Sequence, residues 1–105
     1  MSGTATIIVY MEAVMVAIKI LMKKEALSSN NPQDIQGIGI SNGKICNIYS
    51  VVDLYNYLKE NPGIKVIVDN SNSYLEPIMA TNGEIYIRSI PNEGIIDSLM
   101  KLPRI

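Results

Sequence analysis

A chain of 105 residues, 48% hydrophobic and 18% charged, is long enough for one core and too apolar to remain disordered. Nine basic residues against ten acidic ones leave a net charge of -1, without the basic excess that neutralises DNA phosphates. The absence of histidine excludes Ser-His-Asp and Cys-His machinery and imidazole metal ligands, and a lone Cys46 excludes an internal disulfide and a cysteine zinc cluster.

The first segment, Thr4–Leu27, carries Ile7, Ile8, Met11, Val14, Met15, Ile18, Leu21 and Met22 at i, i+3, i+4 spacing, the mark of one helical face. Val9, Val16 and Ile20 occupy a second apolar face, as expected of a helix packed against a sheet and a partner subunit. Met11, Met15 and Met22 read as adaptable core filler. The β-branched run Thr4–Met11 supports a competing assignment, a strand followed by a helix from Glu12. A membrane span here would bury Glu12 and Lys19, at roughly 2–3 kcal/mol each, so no span is expected. Residues 1–6 also lack the positive charge that opens a signal peptide.

Ser28-Ser29-Asn30-Asn31-Pro32 is a polar, proline-punctuated break. Beyond it, Ile35–Ser41 and Lys44–Tyr49 flank Asn42-Gly43, which predicts a hairpin with a type I′ turn. Gly37 and Gly39 share one face of the first strand, leaving room for close approach by a neighbour, and Cys46 reads as a small core residue. Ser50 as N-cap, with Asp53 three residues later, opens a helix over Val51–Glu60 that Asn61-Pro62-Gly63 ends. Val51, Leu54, Tyr55 and Leu58 form its apolar stripe, and Tyr57 lies off it. Tyrosine combines large contact area with low entropic cost, so Tyr55 and Tyr57 join Val9, Val16 and Ile20 as candidate protein-interface residues.

Three strands follow: Ile64–Asp69, Tyr74–Thr81 and Glu84–Ile90. Asn70–Ser73 is a turn rather than a cation loop, since only Asp69 near it is charged. Pro77 assigns the middle strand to a sheet edge or a bulge, and Asn82-Gly83 predicts a second hairpin. A final helix opens at Asn92 as N-cap, buries Ile95, Ile96, Leu99, Met100 and Leu102, and stops at Pro103.

No catalytic or phosphate-binding motif occurs, and Asp53, Glu60, Glu76 and Glu84 form no readable acid pair. The expectation is therefore one domain, 1–105, of α+β class, not an enzyme, cytoplasmic, with no cofactor, metal or DNA partner.

The runs GIGISNGKICNIY (37–49), SYLEPIMATNGEIYIRSIPNEG (73–94) and IIDSLMKL (95–102), set in the order αββαβββα, resemble the roadblock (dynein light-chain-like) domains, relatives of profilin-like folds. The resemblance covers Thr4 to Leu102. It implies a five-stranded, mainly antiparallel sheet flanked by helices, and a dimeric scaffold that regulates a small GTPase. Roadblock domains dimerise through their second helix and the neighbouring strand, and the second helix here is shorter than theirs. The rival order, starting from a strand at Thr4–Met11, is a ferredoxin-like βαββαβ with a C-terminal hairpin and helix, a module for small ligands or RNA. Its RNA-stacking candidates are Tyr86 with Arg88 and Tyr49 with Lys44.

Overall fold

The computed structural model describes residues 15–91, 94 and 96–105. Three strands, β1 (Met15–Met22), β2 (Ile35–Ser41) and β3 (Cys46–Ser50), are followed by the helix α1 (Val51–Glu60). Three more strands, β4 (Val66–Val68), β5 (Tyr74–Met79) and β6 (Ile85–Ile90), complete a six-stranded sheet of order β3-β2-β1-β4-β5-β6. Two antiparallel meanders thus lie side by side. They are joined through their first strands, β1 and β4, which run parallel, with Met15 beside Val66 and Ala17 beside Val68. The α+β class and the mainly antiparallel sheet agree with the sequence reading.

The first segment is corrected. Met15–Met22 is a strand, not part of a helix over Thr4–Leu27, and the helix expected from Glu12 on the competing assignment is likewise replaced from Met15 on. Thr4–Met11, with Val9 in it, lies outside the described residues. The cause is the position of β1 inside the described sheet, between β2 and β4. A strand paired on both sides and partly covered on both faces is apolar at nearly every position, so its period of two is hidden. The described order is therefore βββαβββ with six strands. It departs from both the five-stranded αββαβββα and the ferredoxin-like βαββαβ layouts.

One face of the sheet holds the core. Ala17, Ile20, Met22, Ile35, Ile38, Ile40, Val66, Val68, Leu75 and Ile87 are all buried. The helix α1 lies across this face, touching β2 and β3 on one side and β5 and β6 on the other, and its Val51, Leu54, Tyr55 and Leu58 close it. The helix boundaries are as read from the sequence. Ser50 Oγ accepts from Asp53 N–H at 3.1 Å, and Asn61 N–H donates to the Tyr57 carbonyl at 3.0 Å.

The C-terminal segment closes the other end. The long helix expected from Asn92 is instead a short 3-10 turn, Ser98–Lys101, whose N-cap is Asp97, while Asn92 and Ile95 lie outside the described residues. Leu99, Met100 and Leu102 are buried as read, but Ile96 is exposed. Beyond the turn, Ile20 N–H donates to the Pro103 carbonyl and Ile105 N–H donates to the Ile20 carbonyl, both at 2.9 Å. The tail thereby borders β1 beyond the end of β4, which pairs only with Met15–Ala17.

Both hairpins form where Asn-Gly predicts them. The first turn is not type I′, because Gly43 but not Asn42 has positive φ; the Asn42 side chain accepts from Lys44 and Ile45 N–H instead. In the second, Gly83 (φ 88°) N–H donates to the Ala80 carbonyl and Ala80 N–H to the Glu84 carbonyl, the three-residue loop in which glycine takes the left-handed position. Pro77 is corrected as well: β5 is second from the edge, between β4 and β6. It tolerates proline because β4 meets β5 only at Ile67–Tyr74, so nothing in the described sheet lies beside Pro77 on that flank to accept an N–H.

Candidate functional site

The two edges of the sheet differ in what covers them. At the β6 edge, hydrogen-bonded pairs alternate outward from Ala80–Glu84, so the register assigns Ser89 to a pair that does not bond β5. The Ser89 N–H turns outward, to the Asp97 carboxylate, with distances of 3.2 and 3.1 Å to its two oxygens. Ser89 Oγ also donates to Asp97, and Leu99 N–H donates to Asp97 Oδ1 at 2.9 Å. Ser89 and Asp97 are buried, and the 3-10 turns Pro32–Asp34 and Ser98–Lys101 both pack on β6. Arg88 is committed on the outer face to Glu76, at 3.0 Å.

At the β3 edge, every residue from Cys46 to Ser50 is exposed. This corrects the core reading of Cys46, which lies on the outer face of an edge strand, on the side away from α1. Asn42 N–H donates to the Ile45 carbonyl at 3.2 Å. Alternation from that bond gives Asn47 and Tyr49 the hydrogen bonds to β2, opposite Ile40 and Ile38. The main-chain groups of Cys46 and Ile48 and the N–H of Ser50 then point away from the sheet, while the Ser50 carbonyl, at the N-cap, accepts within the first turn of α1. Among the described residues no strand lies beyond them. Exposed edges are commonly guarded by lysine, proline or a bulge; Cys46–Ser50 carries no charge, no proline and no register shift.

Apolar side chains gather around this edge. Ile45 is 59% exposed, Ile48 48%, and Val52 and Tyr57 of α1 are exposed beside it. Ile48 stands on the outer face, opposite Gly39. A Cβ at Gly39 would come within 2.6 Å of Lys19 Cγ, so the glycine leaves the lysine stem room to lie across β2 toward Cys46. On the inner face, Tyr49 and Tyr57 rim a mainly apolar groove of about 420 Å³ floored by Met15, Ile40, Leu54 and Val66.

The expected interface residues separate. Ile20 is fully buried and Tyr55 nearly so, both inside the core and unavailable to a partner. Val16 is half-buried on the outer face, in register with Ser41 and Ile67. Tyr57 is exposed and lines the groove. Ile45, Ile48 and Val52 were not anticipated, and Tyr49 was read only as an RNA-stacking candidate beside Lys44. Their signal was local: a hairpin strand with apolar residues at both parities and no charge.

Among the described residues, no group of three or more His, Cys, Asp or Glu side chains converges to hold a metal ion. No helix among them is long and apolar enough to cross a membrane. No curated protein and no solved structure matches the chain. One family does, the proteins of unknown function called DUF3892, over residues 15–103. The matched stretch opens on the first residue of β1 and closes on the residue whose carbonyl receives the Ile20 N–H. The chain therefore belongs to the DUF3892 family.

Proposed function

We propose that this chain is a non-enzymatic interaction module that binds by accepting an extended segment as a further strand on β3. The observation that carries the reading is the contrast within one sheet: β6 is sealed by a buried carboxylate, whereas β3 is exposed along its whole length and uncharged. Main-chain pairing at such an edge supplies affinity, and pockets beside it supply selectivity. Here the Tyr49–Tyr57 groove lies where alternate side chains of an added strand would point. The earlier expectations of small-GTPase regulation and RNA stacking gain less support. The first rested on a helix-first layout; of the two RNA-stacking candidates, Arg88 beside Tyr86 is paired with Glu76, which leaves only Tyr49 with Lys44, at the β3 edge itself.

The test is co-purification of the tagged chain from cells of its source, beside an Ile48→Lys variant whose fold is verified by circular dichroism. Lysine at Ile48 places a charge where the added strand would lie. The reading expects bound protein, either further copies of the chain or another protein, to be lost with the variant. Retention of every partner by the variant contradicts it.

A further inference from the structure

We infer that the strand added to β3 is the β3 of a second copy, paired antiparallel about a two-fold axis at Ile48. This rests on the reading of β3 as the binding edge and names its occupant. The register follows from the outward groups. Ile48 of each copy exchanges two main-chain hydrogen bonds with Ile48 of the other, and the Ser50 N–H of each donates to the Cys46 carbonyl of the other, groups that β2 leaves unbonded; the Ser50 carbonyl stays with the first turn of α1. Two described sheets would become one of twelve strands.

Three features favour a copy over an unrelated strand. The strand carries no charge, so self-pairing sets no like charges face to face. Its flanks have opposite sign: Lys44 precedes it and Asp53 follows it. Antiparallel self-pairing sets the Lys44 end of each copy beside the Val52–Asp53 end of the other, ammonium toward carboxylate. The same operation brings the exposed Ile45 alongside the exposed Val52 of the other copy, at both ends at once. A patch that complements itself in charge and in apolar surface is what an isologous contact requires.

The experiment measures the mass of the full chain by sedimentation equilibrium, for wild type, Ile48→Lys and Ser50→Cys. The wild type is expected to be dimeric, and Ile48→Lys to weaken the dimer at least tenfold by facing two ammonium groups across the axis. The proposed register brings Cys46 opposite position 50 of the partner, at a Cα separation of about 5.5 Å that a disulfide spans. Mild oxidation of Ser50→Cys should therefore give a covalent dimer. The wild type should give none, because its two Cys46 residues lie roughly 14 Å apart in that register. A monomeric wild type whose partner in the co-purification remains sensitive to Ile48→Lys overturns the second copy and leaves the edge reading standing. A dimer indifferent to both variants overturns both. A wild-type disulfide dimer through Cys46 overturns the register.

Discussion

The two edges of this sheet are built from strands of nearly equal length, five residues in β3 and six in β6, yet they meet opposite fates. The β6 edge is finished within the chain. The sequence returns after Pro91 so that Asp97 can take the outward Ser89 N–H, and the same carboxylate caps the next turn. The β3 edge is left unfinished among the described residues, and the helix that follows covers the face of the sheet rather than its rim. An edge sealed by a buried carboxylate serves folding. An edge that is uncharged and open is a hazard for a protein that works alone, so it is the better candidate for use.

The contrast breaks most severely at Asp97. Asp97→Ala leaves Ser89 and Leu99 N–H groups buried without their acceptor, and we expect a loss of about 3 kcal/mol in urea unfolding. Asp97→Asn retains one acceptor oxygen and should lose roughly half of that. If Asp97→Ala unfolds at the wild-type midpoint, the sealing account of β6 fails.

Within β3 the two sides of the strand can be told apart by proline. Asn47 N–H faces β2, so Asn47→Pro deletes a ladder bond and should destabilise by about 1–2 kcal/mol. Ile48 N–H faces outward, and Ile48→Pro should lose at least about 1 kcal/mol less in dilute protein. Equal losses would show that the outward side of β3 is bonded.

Ser50 links the open edge to the helix behind it. Ser50→Ala removes the acceptor of the Asp53 N–H and should lower stability by about 1 kcal/mol, read from the thermal midpoint. The smallest effects belong to side chains that neither seal nor cap. Arg88→Ala removes a half-exposed pair with Glu76, and Ile48→Lys changes an exposed side chain; each should move dilute-protein stability by no more than about 0.5 kcal/mol. A large loss from Ile48→Lys in dilute solution would mean that Ile48 is part of the fold rather than of a contact.

Much of the second meander and the helix was legible from local chemistry. Asn42-Gly43 and Asn82-Gly83 marked both hairpins, Ser50 and Asn61 marked the ends of α1, and the stripe Val51, Leu54, Tyr55, Leu58 named its buried face. The failures share a cause, which is dependence on distant pairing. MVAIKILM is a central strand only because β2 and β4 flank it, and its apolar residues fit a helical spacing as well as a two-sided strand. Pro77 is correctly a residue without a ladder partner on one side, but β4 is short, so that condition is met away from the sheet edge. The Asp97 cap is invisible because Ser89 lies eight residues away on an edge the sequence does not announce. The candidate site was legible at Tyr57, and at Tyr49 only as an RNA-stacking candidate. The exposure of Ile45, Ile48 and Tyr49 follows from the strand order, which sets β3 last.

Amide hydrogen exchange at Ile48 and Ser89, followed as the concentration of the full chain rises, tests the contrast most directly. Ser89, bonded to Asp97 within its own chain, should be protected at every concentration. Ile48 should exchange fast in dilute protein and gain protection as copies pair. An Ile48 amide whose exchange is independent of concentration would contradict the self-pairing edge, and one as protected as Ser89 in dilute protein would contradict the open edge itself.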